Sequence, residues 1–268
     1  MNTELWSFKM SKIFSIKNLK CGIASADLLP TKVNCGFTLA EGATHVNLPP
    51  TKVKCGFTLA EVLITLGIIG VVAAITIPTL IHTYYEKQTV SRLLETTSIL
   101  SQAIKTAEEE YGELGSWGTP SFTPEYGELV FNNLKPFMKV ANICGIVDDK
   151  EQCFANRYAL LHNKGYTGYN RVKQKYKFTL LNGSAVCVQG VDSNNNLQIN
   201  VDVNGVSKPN IMGKDLFLFT YDAEKRSLLP MGHPDSMYPY DTYCVAKDGT
   251  GYGCAYYVLK FKDMKYLK

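Results

Sequence analysis

The sequence predicts an α+β fold: a long amino-terminal helix, transmembrane in its first part and amphipathic in its second, packed on a mostly antiparallel β-sheet head. Three observations carry this. Val62 to Ile81 is a run of twenty residues without a charge. From Val90 to Tyr111, apolar residues recur mostly at spacings of three and four. Beyond Tyr176 the pattern changes to short alternating runs broken by an Asn-Gly turn.

The uncharged run comes first. Twenty apolar residues are long enough to span a bilayer as a helix, and a core helix of a soluble domain rarely avoids charge for so long. The run also explains why charged residues make up only 19% of the chain, against about 25% for an average globular protein. Charge is unevenly placed around it. Residues 1–56 hold seven lysines against Glu4, Asp27 and Glu41, a net +4. The remaining 21 basic and 21 acidic residues cancel (28 − 7 and 24 − 3). The positive-inside rule puts the amino-terminal side in the cytoplasm and everything after His82 on the far side. The neutral remainder offers no electrostatic basis for binding nucleic acid.

The helix entrance reads Thr58-Leu59-Ala60-Glu61. This is a capping box: Thr58 accepts from the Glu61 amide and Glu61 reaches back to the Thr58 amide. A first-turn carboxylate also suits the helix dipole. The box explains where the helix starts. It does not explain a carboxylate at the mouth of a membrane span, where hydration is lost and a partner is the natural remedy.

Lys54-Cys55-Gly56-Phe57-Thr58-Leu59-Ala60-Glu61 followed by VLITLGIIGVVAAITIP resembles the class III signal of type IV prepilins and type II secretion pseudopilins. The resemblance implies that a prepilin peptidase cuts after Gly56 and methylates the new amine of Phe57. It implies that Glu61 is the acidic residue used in assembly, pairing with the terminal amine of a neighbouring subunit. Pro78 falls where many members carry a helix-kinking proline. The implied partners are the peptidase, other pilin or pseudopilin subunits and an inner-membrane assembly platform. The implied organisation is a leader over 1–56, a transmembrane helix over 57–81, an exported helix continuation over 82–112 and a globular α+β head over 113–268. The product is a single-pass bacterial inner-membrane protein, amino terminus cytoplasmic and head exported, that enters a filament. A near copy of the motif, LPTKVNCGFTLAE at 29–41, has no apolar run behind it. It therefore reads as a duplication remnant without function.

The later elements follow in order. The helix continues to Tyr111 along Val90, Leu93, Leu94, Thr97, Leu100, Ile104 and Ala107, and Gly112 stops it. Glu108, Glu109 and Glu110 read as a solvated face. Pro124 to Val140 has a second helical pattern, interrupted by Pro136. Tyr176–Leu181 and Ala185–Gln189 flank Asn182-Gly183 as a hairpin, and Leu197–Val203 and Leu216–Tyr221 read as further strands. In the loop between those last two, Asp202, Asn204 and Asp215 are weak candidates for calcium ligands. Their spacing is not that of an EF-hand, and Asp and Asn beside Gly more often build turns. No metal and no cofactor is predicted.

Five cysteines fall in the exported part, with no CxxC pair, so they read as disulfide-forming rather than zinc-binding. Among the two-bridge pairings that five cysteines allow, the closest in sequence are Cys144–Cys153 and Cys244–Cys254. These leave Cys187 as a buried thiol. The Tyr- and Gly-rich stretch from His233 to Val258 reads as a disulfide-held sheet edge. No nucleophile, base or paired-carboxylate constellation stands out, so the chain reads as a structural subunit and not an enzyme. The alternative is an exported enzyme or binding domain held by an uncleaved signal anchor, which would need neither Gly56 nor Glu61.

Overall fold

The computed structural model describes residues 57–118, 123–146, 153–162, 165–168, 175–190, 197–234 and 236–267. The leader, its duplicated motif and Gly56 lie outside these. The chain divides into two compact units, 1–70 and 71–268.

Helix α1 spans Leu59–Tyr111. Within residues 59–70 of the first unit it is exposed throughout, including Leu63, Ile64 and Ile68. Its hydroxyls are satisfied by its own backbone: Thr65 Oγ1 donates to the Val62 carbonyl at 2.9 Å. In the second unit, Thr76 and Thr83 do the same at 2.9 and 3.0 Å. This suits a medium without water, where each polar group must find a partner inside the segment. The helix runs through Pro78, which has no N–H to offer the Ala74 carbonyl.

From Thr89 onward α1 turns one face inward, burying Val90, Leu93, Thr96, Leu100, Ala103, Ile104, Ala107 and Glu108. The predicted stripe is off by a residue in places. Leu94 is 36% exposed and Tyr111 45% exposed, while Thr96, not Thr97, is buried. Thr96 is held inward by the hairpin turn: its hydroxyl donates to Ser184 Oγ at 2.9 Å and accepts from Asn182 Nδ2 at 3.0 Å. Gly112, at φ +83°, ends the helix in the left-handed region.

The sheet has six strands in the order β1-β4-β5-β6-β7-β8. These are β1 (Val140–Gly145), β4 (Tyr176–Leu180), β5 (Ala185–Gly190), β6 (Leu197–Asp202), β7 (Leu216–Asp222) and β8 (Ser227–Pro230). Every neighbouring pair is antiparallel. Two short strands, β2 (Arg157–Ala159) and β3 (Tyr166–Gly168), pair separately. Alternation sorts the six-stranded sheet into two buried faces. Phe178, Val186, Val188, Ile199, Val201, Phe217 and Phe219 share one core with α1. Ala185, Cys187, Leu216 and Leu218 share a second core with Phe154, Ala155 and Tyr158.

Helix α2 (Pro124–Leu134) is shorter than the predicted 124–140 segment. A 3₁₀ turn over Lys135–Phe137, with Pro136 inside it, replaces the last helical turn, and Val140 opens β1. Phe131 of α2 stacks on Tyr176 and Phe178 at 4.9 and 4.7 Å between ring centroids. Gly127 lets α2 approach the sheet, since a Cβ there would lie 2.4 Å from the Val188 carbonyl oxygen. Among its described residues, the Tyr-rich stretch forms no strand after β8. It builds a π-helical turn over Asp241–Val245 and helix α3 (Cys254–Phe261). Cys254, Ala255 and Val258 face the core at helical spacing, which overrides the strand preference of the neighbouring tyrosines.

Candidate functional site

The first turn of α1 is closed on itself. The Thr58 amide donates to Glu61 Oε2 at 2.9 Å, and the Thr58 hydroxyl donates to the same oxygen at 2.9 Å. In return the Glu61 amide donates to Thr58 Oγ1 at 3.3 Å. The box is therefore formed. It folds the carboxylate back over the helix start, next to Phe57, which is 84% exposed. A carboxylate has about four acceptor positions, so Glu61 keeps capacity for a further donor beyond Thr58. Among the described residues one helix, α1, is long and apolar enough to cross a membrane, with a window of mean hydropathy 2.4.

In the head, Cys144 is joined to Cys153 and Cys244 to Cys254, and Cys187 is a free thiol inside the second core. Burial pushes the Cys187 thiol up, opposed by the nearby charges of Lys175 and Lys177. Lys175 and Lys177 are themselves buried. Their ammonium groups donate to Gln198 Oε1 at 2.7 Å and to the Ile146 carbonyl at 2.6 Å.

The residues weighed as calcium ligands lie close together; the Asp202 and Asp215 carboxylates and Asn204 Nδ2 are engaged in hydrogen bonds, whereas Asn204 Oδ1 is buried without a partner. Asp202 Oδ1 accepts from the Asn204 amide at 3.0 Å, and Oδ2 accepts from the Tyr158 hydroxyl at 2.5 Å. Asp215 accepts from the Asn210 and Ile211 amides at 2.5 and 2.7 Å. Asn204 Nδ2 donates to the Ser207 and Lys208 carbonyls at 3.0 and 3.2 Å. Among the described residues no group of three or more His, Cys, Asp or Glu gathers to hold a metal. Desolvation raises both carboxyls, Asp202 well above the ordinary aspartate range and Asp215 to about 6. The charge of Asp215 adds to the rise at Asp202, and backbone amides oppose the rise at Asp215.

Glu108 corrects the reading of the acidic triplet as a solvated face. Glu109 and Glu110 are exposed, but Glu108 is buried. Its Oε1 accepts from the Tyr221 hydroxyl at 2.6 Å and the Leu114 amide at 3.0 Å. Arg226 lies 3.7 Å from Glu108 and 3.5 Å from Glu113. The cation offsets the cost of a carboxylate at a helix carboxy terminus. The signal was present in the sequence: Glu108 is four and eight residues on from Ile104 and Leu100, in phase with the buried stripe.

With this geometry in hand, residues 51–77 match the protein family described as the prokaryotic N-terminal methylation motif. The chain carries the class III signal of type IV pilins and pseudopilins, followed by an α+β head of pilin-like layout. The motif implies processing by a prepilin peptidase and assembly with other pilin subunits in general. No curated protein and no solved structure matches the chain.

Proposed function

We propose that the chain is a pilin-like structural subunit, cut after Gly56 and methylated on Phe57, whose mature form is held in the inner membrane by residues 57–81 and assembled into a periplasmic or surface filament. What supports this most is the junction of a methylation motif over 51–77 with an apolar helix whose first turn presents Glu61 beside Phe57. Lysine excess before the span argues for a cytoplasmic amino terminus and an exported head, and the disulfide-bonded head suits an oxidising compartment. An inner-membrane assembly platform receives it, and Glu61 pairs with the terminal amine of the next subunit. No catalytic step is assigned to the chain.

Mass spectrometry of the native amino terminus tests the reading. The expected result is N-methyl-Phe57 in assembled protein and an uncut precursor for Gly56→Leu, because only glycine lets the backbone enter a protease cleft without a side chain. An unmodified terminus upstream of Gly56 in assembled protein would overturn it and favour the uncleaved anchor.

A further inference from the structure

A cavity of about 540 Å³ opens between the β7–β8 hairpin, the segment that follows β8, and α3. This lies within the range of about 300–1,000 Å³ that small ligands occupy. Its apolar wall is Leu229 and Pro230 of β8 with the ring of Tyr256 from α3. Its polar groups are Asp222 and Lys225 on the hairpin, then His233 and Ser236.

The aromatic wall is held in place from several sides. Tyr256 lies 5.6 Å from Tyr240 and 5.4 Å from His233, which meets it edge-on, and the Lys260 ammonium sits 5.3 Å from its centroid. Its amide donates to the Met231 carbonyl at 2.9 Å. Gly232 makes that approach possible: at φ +119°, a Cβ there would fall 2.0 Å from the Gly253 carbonyl oxygen. Such a fixed ring loses little freedom when a ligand stacks on it.

The charges at the rim cancel. Lys225 Nζ pairs with Asp222 Oδ2 at 3.3 Å. Among the residues lining the cavity, Asp222 is the one carboxylate and Lys225 the one ammonium. A polyanion finds no field to draw it here. The pair leaves lone pairs on the carboxylate and N–H groups on the ammonium, so the rim both accepts and donates. A ligand that fits is uncharged, carries an apolar face for the ring and the proline, and has a hydroxyl-bearing edge for the rim. A pyranose ring has that make-up, with C–H bonds on its faces and hydroxyls around its periphery.

We infer that this cavity is a binding site for a neutral saccharide of one or two rings. The site makes no use of the amino-terminal motif, so it goes beyond the assembly reading and stands or falls independently of it. Occupation would give the exported head a direct hold on glycan-bearing surfaces.

The test uses the full chain in a detergent without a sugar headgroup. Methyl β-glucoside, methyl β-galactoside, N-acetylglucosamine and lactose are titrated against it by NMR, with glucuronic acid and adenosine as charged and nucleobase comparators. The expected result is saturable binding of at least one neutral sugar in the millimolar range. Tyr256→Leu should weaken that binding at least about tenfold, and Lys225→Gln, an exposed change that leaves the fold alone, should weaken it a few-fold. Retained near-ultraviolet circular dichroism separates loss of the ring from loss of the fold. The inference is overturned if no neutral sugar saturates at tens of millimolar. It is also overturned if both variants bind like wild type, or if adenosine or glucuronic acid binds in preference.

Discussion

Glu61 serves two masters at the residue scale, and one substitution separates them. As a cap it needs only an acceptor for the Thr58 amide, which Gln supplies equally well. As partner of a neighbour's terminal amine it must carry charge, since removing one member of a desolvated pair strands the other. Glu61→Gln is therefore expected to insert and be cut normally yet to lower filament recovery at least about tenfold. Sheared-filament yield beside amino-terminal sequencing checks this, and normal incorporation of a processed variant would leave the cap as the sufficient role. Asp202 makes the complementary case in the head. Its raised carboxyl, with that of Asp215 at about 6, binds protons more tightly folded than unfolded. Stability from this source is full below pH about 4 and declines as pH rises through the folded values. Asp202→Asn should match wild type at the acid end, exceed it at pH about 8, and give a shallower slope in urea melts of the head. Parallel stability curves would refute that assignment.

At the scale of elements, α2 and β5 touch at Gly127. Alanine there would gain up to about 1 kcal/mol of helix propensity. Its Cβ would meet the Val188 carbonyl at 2.4 Å and Tyr176 Cβ at 3.2 Å, and backbone does not yield as a side-chain tip does. The clash should win, so Gly127→Ala is expected to destabilise the head by about 1–3 kcal/mol, read as a lower melting temperature. A neutral or stabilising result would show that α2 can lift from the sheet. The same elements show what the sequence discloses. The entrance of α1 was legible because Thr58 and Glu61 state it chemically, and the β4–β5 hairpin because Asn182-Gly183 sits between alternating runs. β1 was hidden: it follows Pro136 closely, its register shifts twice against β4, and its side chains Ala141, Asn142 and Ile143 all face solvent. β8 is four residues ending in Pro230, and β2 and β3 are three residues each. Such pieces are strands because the sheet or a partner pairs them, not because their own pattern says so. At the candidate site, the methylation motif was plain in the sequence. The cavity at Tyr256 was not, because its walls come from three separate elements.

Considered as a whole, the head is a sheet buried on both faces, one core shared with α1 and the other closed by the 153–160 segment. The two disulfides join cysteines nine and ten residues apart, and neither includes α1. Tension drawn along α1 therefore meets no covalent staple on its way into the sheet. It passes through the interdigitated seam from Val90 to Ala107, and through two polar rivets, Thr96 on Ser184 near the middle and Glu108 on Tyr221 near the end. The seam is loaded in shear along its length, so its contacts resist together and not one after another.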